Sequence, residues 1–286
     1  MRILAFLFLL LSLGGVATAQ ESNKWREDAL ALPGLVNEQY AYLDRIPGET
    51  YKLTPKLQAE AEAVTDSKSL LAFAERALFL LADHHAITGG SFKDSWALVP
   101  SYSDIWVERK DAQYVVTAIR GESIAEQSGI SKGAIVIVVG GQPIADAVTG
   151  FWTDLGVTQY DDEQAGYAAR TLLAGRRDRA REIELRNPDG KILSLTLSSR
   201  YELHRDEQPV RLVSEGNVAR IVFNDSLGNA DAIAAFDEAM ARINPKQKLV
   251  IDLRDTASGG TTSVARAVMG WFVTKPTNYQ IHRSPA

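Results

Sequence analysis

The C-terminal third of the chain alternates strand and helix patterns, and this order restricts its fold most strongly. Ala219–Phe223 and Leu249–Leu253 are short apolar runs typical of strands. Apolar residues recur at helical spacing between them, from Ile233 to Ile243, and again from Val264 to Phe272. A strand–helix–strand–helix unit crosses over in a right-handed sense and forms a parallel sheet. We therefore expect a parallel sheet here, with Leu249–Leu253 as a buried strand.

A glycine-rich loop joins the second of these strands to the following helix, in the sequence DLRDTASGGTTS (252–263). Backbone N–H groups at a helix N-terminus suit a phosphate or a developing oxyanion. The loop lacks the Gly-Lys-Ser/Thr ending of a phosphate-binding P-loop. A plain strand-to-helix turn capped by Thr261 or Thr262 is an equal alternative. Ser258 and Ser263 lack the spacing of a nucleophile elbow, and we interpret them as loop and cap residues.

Helical patterns fill the chain from about residue 25 to 82, where apolar residues recur on one face of each segment. Thr54-Pro55 is an N-cap followed by proline at the first helical position, and another helix is predicted from Asp66 onward. We interpret this segment as a small helical bundle.

From about residue 100 the pattern changes to short strands. Tyr114–Ile119 and Ala134–Val139 are predicted strands, with a short helix at 123–129 between them. Asn187–Gly190 is a strong turn signal and predicts a hairpin of the two strands that flank it. The stretch Ala147–Gln164 is interpreted as an insertion. An edge of this module could accept a peptide by β-augmentation.

The segment Asp83-His84-His85 stands between a helix pattern and a Gly-Gly pair. Imidazole is the usual general base near neutral pH, and a nearby carboxylate can orient it. Adjacent histidines point in different directions on most backbones, so at most one of them is expected to be catalytic. The alternative is a helix end at which histidine interacts with the last carbonyls.

The composition excludes several function classes. The chain has 31 Lys and Arg against 36 Asp and Glu, a net charge of −5, whereas a nucleic-acid-binding domain is usually strongly basic. The absence of cysteine excludes disulfides, thiolate nucleophiles and cysteine-ligated zinc. His204 and His282 do not lie at ligand spacing, so neither a metal nor a cofactor is predicted.

The first nineteen residues have the pattern of a signal peptide. Arg2 precedes an apolar run at Ile3–Leu13, and Ala17–Ala19 is a small-x-small cleavage site. The run is about half of the roughly 20 residues that span a bilayer, although an uncleaved anchor is the alternative. We expect an exported protein without a stable membrane span after cleavage, periplasmic in a Gram-negative bacterium and otherwise secreted.

Three segments, in this order, are similar to motifs of the C-terminal-processing (tail-specific) and tricorn-type serine peptidase family. Asp83–His85 resembles its D-x-H motif, and SIAEQSGISKGAIVIVVGGQPI (123–144) resembles its PDZ domain. IDLRDTASGG (251–260) resembles the I-D-L-R-x-x-x-G-G segment that opens the protease core. The resemblance covers residues 25–286.

The resemblance implies roles for individual residues. His85 takes the position of the general base of tricorn-type members, whereas a lysine has that role in the tail-specific branch. Gly259 and Gly260 fall on the glycine pair whose N–H groups stabilise the oxyanion. Asp252 and Arg254 occupy framework positions and are interpreted as structural. Nothing matches the nucleophilic serine or a catalytic lysine, because the sequence stops before the segment that carries them.

The resemblance also implies an α+β multidomain fold with a helical bundle, a PDZ-like β module and the first βαβα part of a parallel-sheet, crotonase-like protease core. A G-φ-G-φ carboxylate-binding loop is not recognisable, and Ser103–Trp106 stands near its place. We therefore expect the module to gate or position the core. The predicted boundaries are 1–19 for the signal peptide, 20–99 for the helical region, 100–200 for the PDZ-like domain with its insertion and 209–286 for the partial core.

The leading hypothesis is an exported serine-type peptidase that hydrolyses peptide bonds in peptide or protein substrates, here without the segment that bears the nucleophile. The chain alone is then expected to be inactive. The alternative is a non-catalytic PDZ-like scaffold that binds peptides. A third hypothesis is an anion-binding domain that uses the Gly-Gly loop. The sequence does not determine the oligomeric state.

Overall fold

The computed structural model describes residues 23–97, 103–199, 208–224, 227–254, 256 and 260–279. The signal peptide predicted at 1–19 lies outside these ranges. Within them, no helix combines the length and the apolar character that crossing a bilayer requires.

The N-terminal region is helical, as predicted. Its helices are α1 (23–39), α2 (Pro55–Glu62) and α3 (Ser67–Leu78), and single 3-10 turns lie at Leu43–Arg45, Pro47–Glu49 and Phe79–Leu81. The Thr54 hydroxyl accepts a hydrogen bond from the Leu57 amide at 3.2 Å, which caps α2 in front of its proline. Asp66 and Ser69 form a capping box at the start of α3. The predicted helix starts are therefore confirmed at both places.

The middle region is a six-stranded antiparallel sheet. Its elements are β1 (Ile105–Lys110), β2 (Gln113–Ile119), α4 (Ile124–Gln127), β3 (Ile135–Val139), β4 (Gln142–Pro143), α5 (Ile144–Asp154), α6 (Asp162–Ala174), β5 (Arg181–Arg186) and β6 (Ile192–Leu197). The strand order is β1-β2-β3-β5-β6, with β4 paired to β3. The sequence did not predict β1, which pairs with β2 along its whole length.

The helices α1 to α3 and the six-stranded sheet share one hydrophobic core. Leu57 and Phe73 of the helical region belong to the same buried cluster as Val116 and Leu185 of the sheet. Trp152 of α5 is fully buried and belongs to this cluster. The segment Ala147–Gln164, which was predicted to be an insertion, therefore supplies buried residues to this shared core.

The C-terminal region forms a separate three-stranded sheet with its own core. Its elements are β7 (Val210–Glu215), β8 (Val218–Phe223), α7 (Asp231–Arg242), β9 (Lys248–Asp252) and α8 (Thr262–Gly270). The strands β8 and β9 are parallel and α7 lies between them in sequence, which confirms the predicted unit. The strand β7, which was not predicted, pairs antiparallel with β8.

Two details of this region differ from the prediction. The strand β9 is only partly buried, since Val250 is 44% exposed. Leu253 lies beyond the end of the strand and is 48% exposed. Val264 is buried on the inner face of α8, whereas Trp271 and Phe272 follow the helix and are about half exposed. Helical spacing placed them on the inner face because it assumes a helix that continues through both residues.

Candidate functional site

The Asp83–His85 segment lies in a turn that directly follows the last 3-10 turn of the helical region. Ala82 ends that turn in the left-handed conformation, with φ of 48°. The Ala86 amide donates to the Asp83 carbonyl at 3.2 Å and closes the next turn. The two histidines are therefore not at a helix end whose carbonyls they contact, which was the alternative interpretation.

Asp83 orients the exposed histidine of the pair. Its Oδ1 accepts a hydrogen bond from the His85 amide at 2.8 Å and lies 3.5 Å from His85 Nδ1. Its Oδ2 accepts from the Tyr40 hydroxyl at 2.8 Å. Burial disfavours the charged form of Asp83, but the bonds from the His85 amide and Tyr40 outweigh it and lower the pKa of Asp83. The carboxylate is therefore ionised near neutral pH and faces one nitrogen of His85.

Tyr40 is held protonated by the same arrangement. Burial and its hydrogen bond to Asp83 raise the pKa of the Tyr40 phenol. It therefore remains a donor that fixes the Asp83 carboxylate at physiological pH. Nothing in the local sequence around Tyr40 indicates this contact with a residue 43 positions away.

His84 points the other way, into a buried cluster. It stacks on Tyr167 with ring centroids 4.5 Å apart, and its Nε2 accepts a hydrogen bond from Arg170 Nε at 2.9 Å. Its ring also meets Trp106 edge to face. Burial, together with the charge of Arg170, lowers the pKa of His84 to about 3. His84 is therefore neutral and already bonded, which makes it unsuitable as a general base.

His85 is the accessible member of the pair, because 88% of its side chain is exposed. Its Nδ1 faces Asp83, which leaves Nε2 free to face a substrate or a nucleophile. Within the described residues no group of three or more histidine, aspartate and glutamate side chains could hold a metal ion. The chemistry that this turn supports is proton transfer at one imidazole.

The second predicted element, the Gly-Gly loop, is only partly described. Gly259 and Ser258 lie outside the described residues. Gly260 lies so close to Leu227 that an added Cβ would stand 2.5 Å from the Leu227 Cβ and 2.9 Å from its carbonyl. The Thr261 amide donates to the Leu227 carbonyl at 3.0 Å, and the Thr261 hydroxyl caps α8 at the Val264 amide. Only glycine fits at 260, and Thr261 is the N-cap that was predicted.

Asp252, at the end of β9, anchors the start of this loop. Its side chain is 6% exposed and accepts hydrogen bonds from Arg254 Nε at 2.8 Å and Nη2 at 2.5 Å. Arg220 approaches the same carboxylate at 3.4 Å. The hydrogen bonds from Arg254 are the main cause that lowers the pKa of Asp252. This geometry agrees with the structural role predicted for Asp252 and Arg254.

The structure places His85 and Gly260 on different parts of the molecule. His85 follows the helices that pack in the larger core, whereas Gly260 stands beside Leu227 on the smaller one. Within the described ranges no hydrogen bond or ion pair joins the two.

The PDZ-like module was predicted to offer an edge for β-augmentation. The outer edge of β1 is covered by α6, and Arg170 Nη1 donates to the Val107 carbonyl at 3.0 Å. A peptide therefore cannot add to this edge unless α6 moves. This contact concerns one edge of the sheet, and β6 forms the other edge.

Residues 103–106, where the missing carboxylate-binding loop was expected, hold a buried ion pair instead. Asp104 accepts two hydrogen bonds from Arg181, at 2.6 and 3.0 Å, and both side chains are 1% exposed. Beside this pair, the start of β1 lines a cavity of about 310 Å³ together with Arg120 and Arg254. The Asp104 carboxylate therefore lies directly before β1, where a loop that binds a substrate carboxylate was expected.

Comparison with known proteins gives one curated relative. No model of a known protein family matches the sequence. Protein HelA of Legionella pneumophila is 25% identical over 240 residues, in an alignment that covers 79% of this chain and 21% of HelA. The chain thus spans about a fifth of the length of this relative.

Several solved structures are similar to the chain. The photosystem II D1 C-terminal processing protease has a TM-score of 0.40 and 16% identity, over 87% of this chain and 65% of that one. Mature CPAF complexed with lactacystin has a TM-score of 0.39 and 13% identity, over 87% of this chain and 59% of that one. A putative S41 protease from Bacteroides fragilis has a TM-score of 0.28 and 14% identity, over 82% of this chain and 56% of that one.

These neighbours are tail-specific (S41) peptidases, the family that the sequence motifs resemble. The chain spans less than two thirds of each. At TM-scores of 0.28 to 0.40 we draw nothing about its chemistry from them.

Proposed function

We propose that this chain is part of an exported serine-type peptidase that cleaves peptide or protein substrates, with His85 as the general base. The observation that carries the proposal is the Tyr40–Asp83–His85 arrangement. An exposed imidazole has one nitrogen directed at an ionised, hydrogen-bonded carboxylate and the other directed away from it. The same carboxylate–imidazole order operates in serine hydrolases, where the carboxylate fixes the tautomer and stabilises the imidazolium.

In the proposed reaction, a serine hydroxyl attacks the carbonyl carbon of the scissile bond while His85 Nε2 takes its proton. His85 then gives that proton to the amine that leaves as the C–N bond breaks. Water hydrolyses the acyl-enzyme by the reverse proton transfers. Asp83 stabilises the protonated imidazole, and Tyr40 holds Asp83 in place throughout.

The remaining parts of the site belong to the proposal as well. The N–H groups of Gly259 and Gly260 would stabilise the tetrahedral oxyanion. The nucleophilic serine would come from a segment outside these 286 residues, so the chain by itself would be inactive. No cofactor is required, and the leader at 1–19 would direct the protein to the periplasm or to the exterior.

The test is hydrolysis of a fluorogenic casein by the complete product of the gene, in wild-type form and as His85→Ala. We expect a loss of about 10²- to 10⁴-fold in kcat for His85→Ala, the range typical of general bases. The control is Lys93→Ala, because Lys93 is exposed and follows the Asp83–His85 turn in the sequence. This variant should retain full activity. Undiminished hydrolysis by His85→Ala would remove His85 from the mechanism.

A further inference from the structure

A cavity of about 450 Å³ lies between α5, the end of α6 and the start of β5. Its volume falls within the range of about 300–1,000 Å³ that is typical of small-molecule sites. The apolar part of its lining comes from the end of β3, from α5 and from α6, and consists of Val139, Ala147, Phe151, Leu155 and Leu172. Neither His84 nor His85 lines it. The cavity therefore offers an apolar surface that the proposed proton transfer does not use.

Arg176, two residues after the end of α6, adds a partly buried cation to this lining. Its guanidinium carbon lies 4.1 Å from the centroid of the Trp96 ring, and its Nη1 donates to the Asp94 carbonyl at 3.1 Å. No carboxylate of the described residues lies within ion-pair distance of it. Burial lowers the pKa of Arg176, and the more distant carboxylates, of which Asp94 has the largest effect, do not fully offset it. Because a guanidinium has five N–H donors, Arg176 can still donate to an anion.

The other charged groups of the lining are either paired or exposed. Each of the other cations has a carboxylate partner, and the pairs are Arg76 with Asp154, Arg179 with Asp178 and Arg181 with Asp104. The remaining carboxylate of the lining, Glu182, occupies an exposed position of β5. Among the described residues of this lining, Arg176 is therefore the cation that has no carboxylate partner.

We propose that this cavity binds a medium-chain fatty carboxylate, with its carboxylate on Arg176 and its hydrocarbon chain along α5. The carboxylate accepts charge-assisted hydrogen bonds from the guanidinium. The chain covers the apolar side chains of α5 and α6, and each methylene group that leaves water adds to the affinity. The proposal does not depend on the peptidase function proposed above.

Gly150 allows the cavity to be filled without a clash. It lines the cavity from within α5, and a Cβ added at this position would meet no atom within 4 Å. Leucine also has a higher helix propensity than glycine. Gly150→Leu should therefore fold and place its side chain where the hydrocarbon chain is expected.

The test is isothermal titration calorimetry of the folded chain with decanoate, at concentrations below those at which decanoate forms micelles. Decyltrimethylammonium, which has the same chain and the opposite charge, is titrated in parallel. Arg176→Met removes the cation but keeps an unbranched side chain, and Gly150→Leu fills the cavity. Arg186→Met is the matched control, because Arg186 is an exposed arginine of β5 that does not line the cavity.

We expect saturable binding of decanoate to the wild type and to Arg186→Met with the same Kd. Arg176→Met should raise the Kd by at least about tenfold, because hydrogen bonds to a charged group are lost. Gly150→Leu should abolish saturable binding, and decyltrimethylammonium should bind the wild type at least about tenfold more weakly than decanoate does. If Arg176→Met fails to fold, Gly150→Leu and the comparison of the two ligands decide the question.

Four results would overturn the proposal. They are no saturable binding of decanoate to the wild type, equal Kd values for folded Arg176→Met and wild type, an unchanged Kd for Gly150→Leu, and equally tight binding of decyltrimethylammonium. None of them bears on whether His85 is a general base. Conversely, undiminished hydrolysis by His85→Ala would leave the carboxylate site standing.

Discussion

Removing the charge of Asp104 should destabilise the chain more than any exposed ion pair could. Asp104 and Arg181 are bonded twice, and each side chain is 1% exposed. Asp104→Asn keeps the shape but leaves the Arg181 guanidinium buried without its counter-charge. Loss of one partner of such a pair costs about 3–5 kcal/mol of unfolding free energy. For a unit of this size the cost corresponds to a fall in Tm of about 6–20 °C.

The assay is urea and thermal unfolding followed by far-UV circular dichroism. Lys110→Met is the control, because its ion pair with Glu108 is largely exposed and such pairs contribute about 0–1 kcal/mol. The double variant Asp104→Leu/Arg181→Met should recover much of the loss, since replacing a buried pair by apolar residues is often nearly neutral. If Asp104→Asn costs no more than Lys110→Met, the pair is not buried in the folded protein and the reasoning fails.

Three further changes test other parts of the structure. Trp152→Ala should cost about 3–5 kcal/mol of unfolding free energy, in one transition that includes the N-terminal helices, and a cost below about 1 kcal/mol in chemical denaturation would show that Trp152 is not part of the shared core. Gly260→Ala should cost about 1–3 kcal/mol, because its methyl group overlaps Leu227, and an unchanged Tm would show that the loop does not pack there. The pKa of Asp252 is lowered in the folded state, so its contribution to stability is full above about pH 4 and is lost as the pH falls. Asp252→Asn should therefore flatten the acid limb of the stability–pH curve, and an unaltered acid limb would contradict the Arg254 contact.

The features that the sequence predicted are those that depend on residues close together in the chain or on the order of the elements. The cap at Thr54, the helix that starts at Asp66 and the hairpin at Asn187–Gly190 each depend on side chains within a few positions, and all three are present. The parallel pairing of β8 with β9 followed from the order of elements alone. These features need no knowledge of distant contacts.

The features that were missed depend on distant contacts or on alternating patterns that polar residues interrupt. The sequence IWVERK of β1 ends in charged residues. Its alternation of apolar residues is therefore too short to predict a strand. Trp152 belongs to a segment that was predicted to be an insertion, and its burial in the core could not be seen from the acidic residues that follow it. Tyr40 reaches Asp83 across 43 residues within the helical region, and Arg170 of α6 reaches His84 only after that region packs against the middle region.

For the candidate site, the sequence singled out the two adjacent histidines but did not predict how their surroundings differ. That difference comes from burial. His84 stacks on Tyr167, whereas His85 faces solvent beside Asp83. Adjacent residues of identical type thus lie in different surroundings, because only His84 packs against a partner far away in sequence.

The most direct test of the general-base assignment is the rate at which a fluorophosphonate probe labels the complete product of the gene. In this reaction the serine oxygen displaces fluoride from phosphorus while its proton passes to the base, so the rate reports activation of the nucleophile without substrate binding. We predict that His85→Ala slows labelling by at least about 100-fold, whereas Lys93→Ala leaves the rate unchanged. Equal labelling rates for wild type and His85→Ala would contradict the assignment.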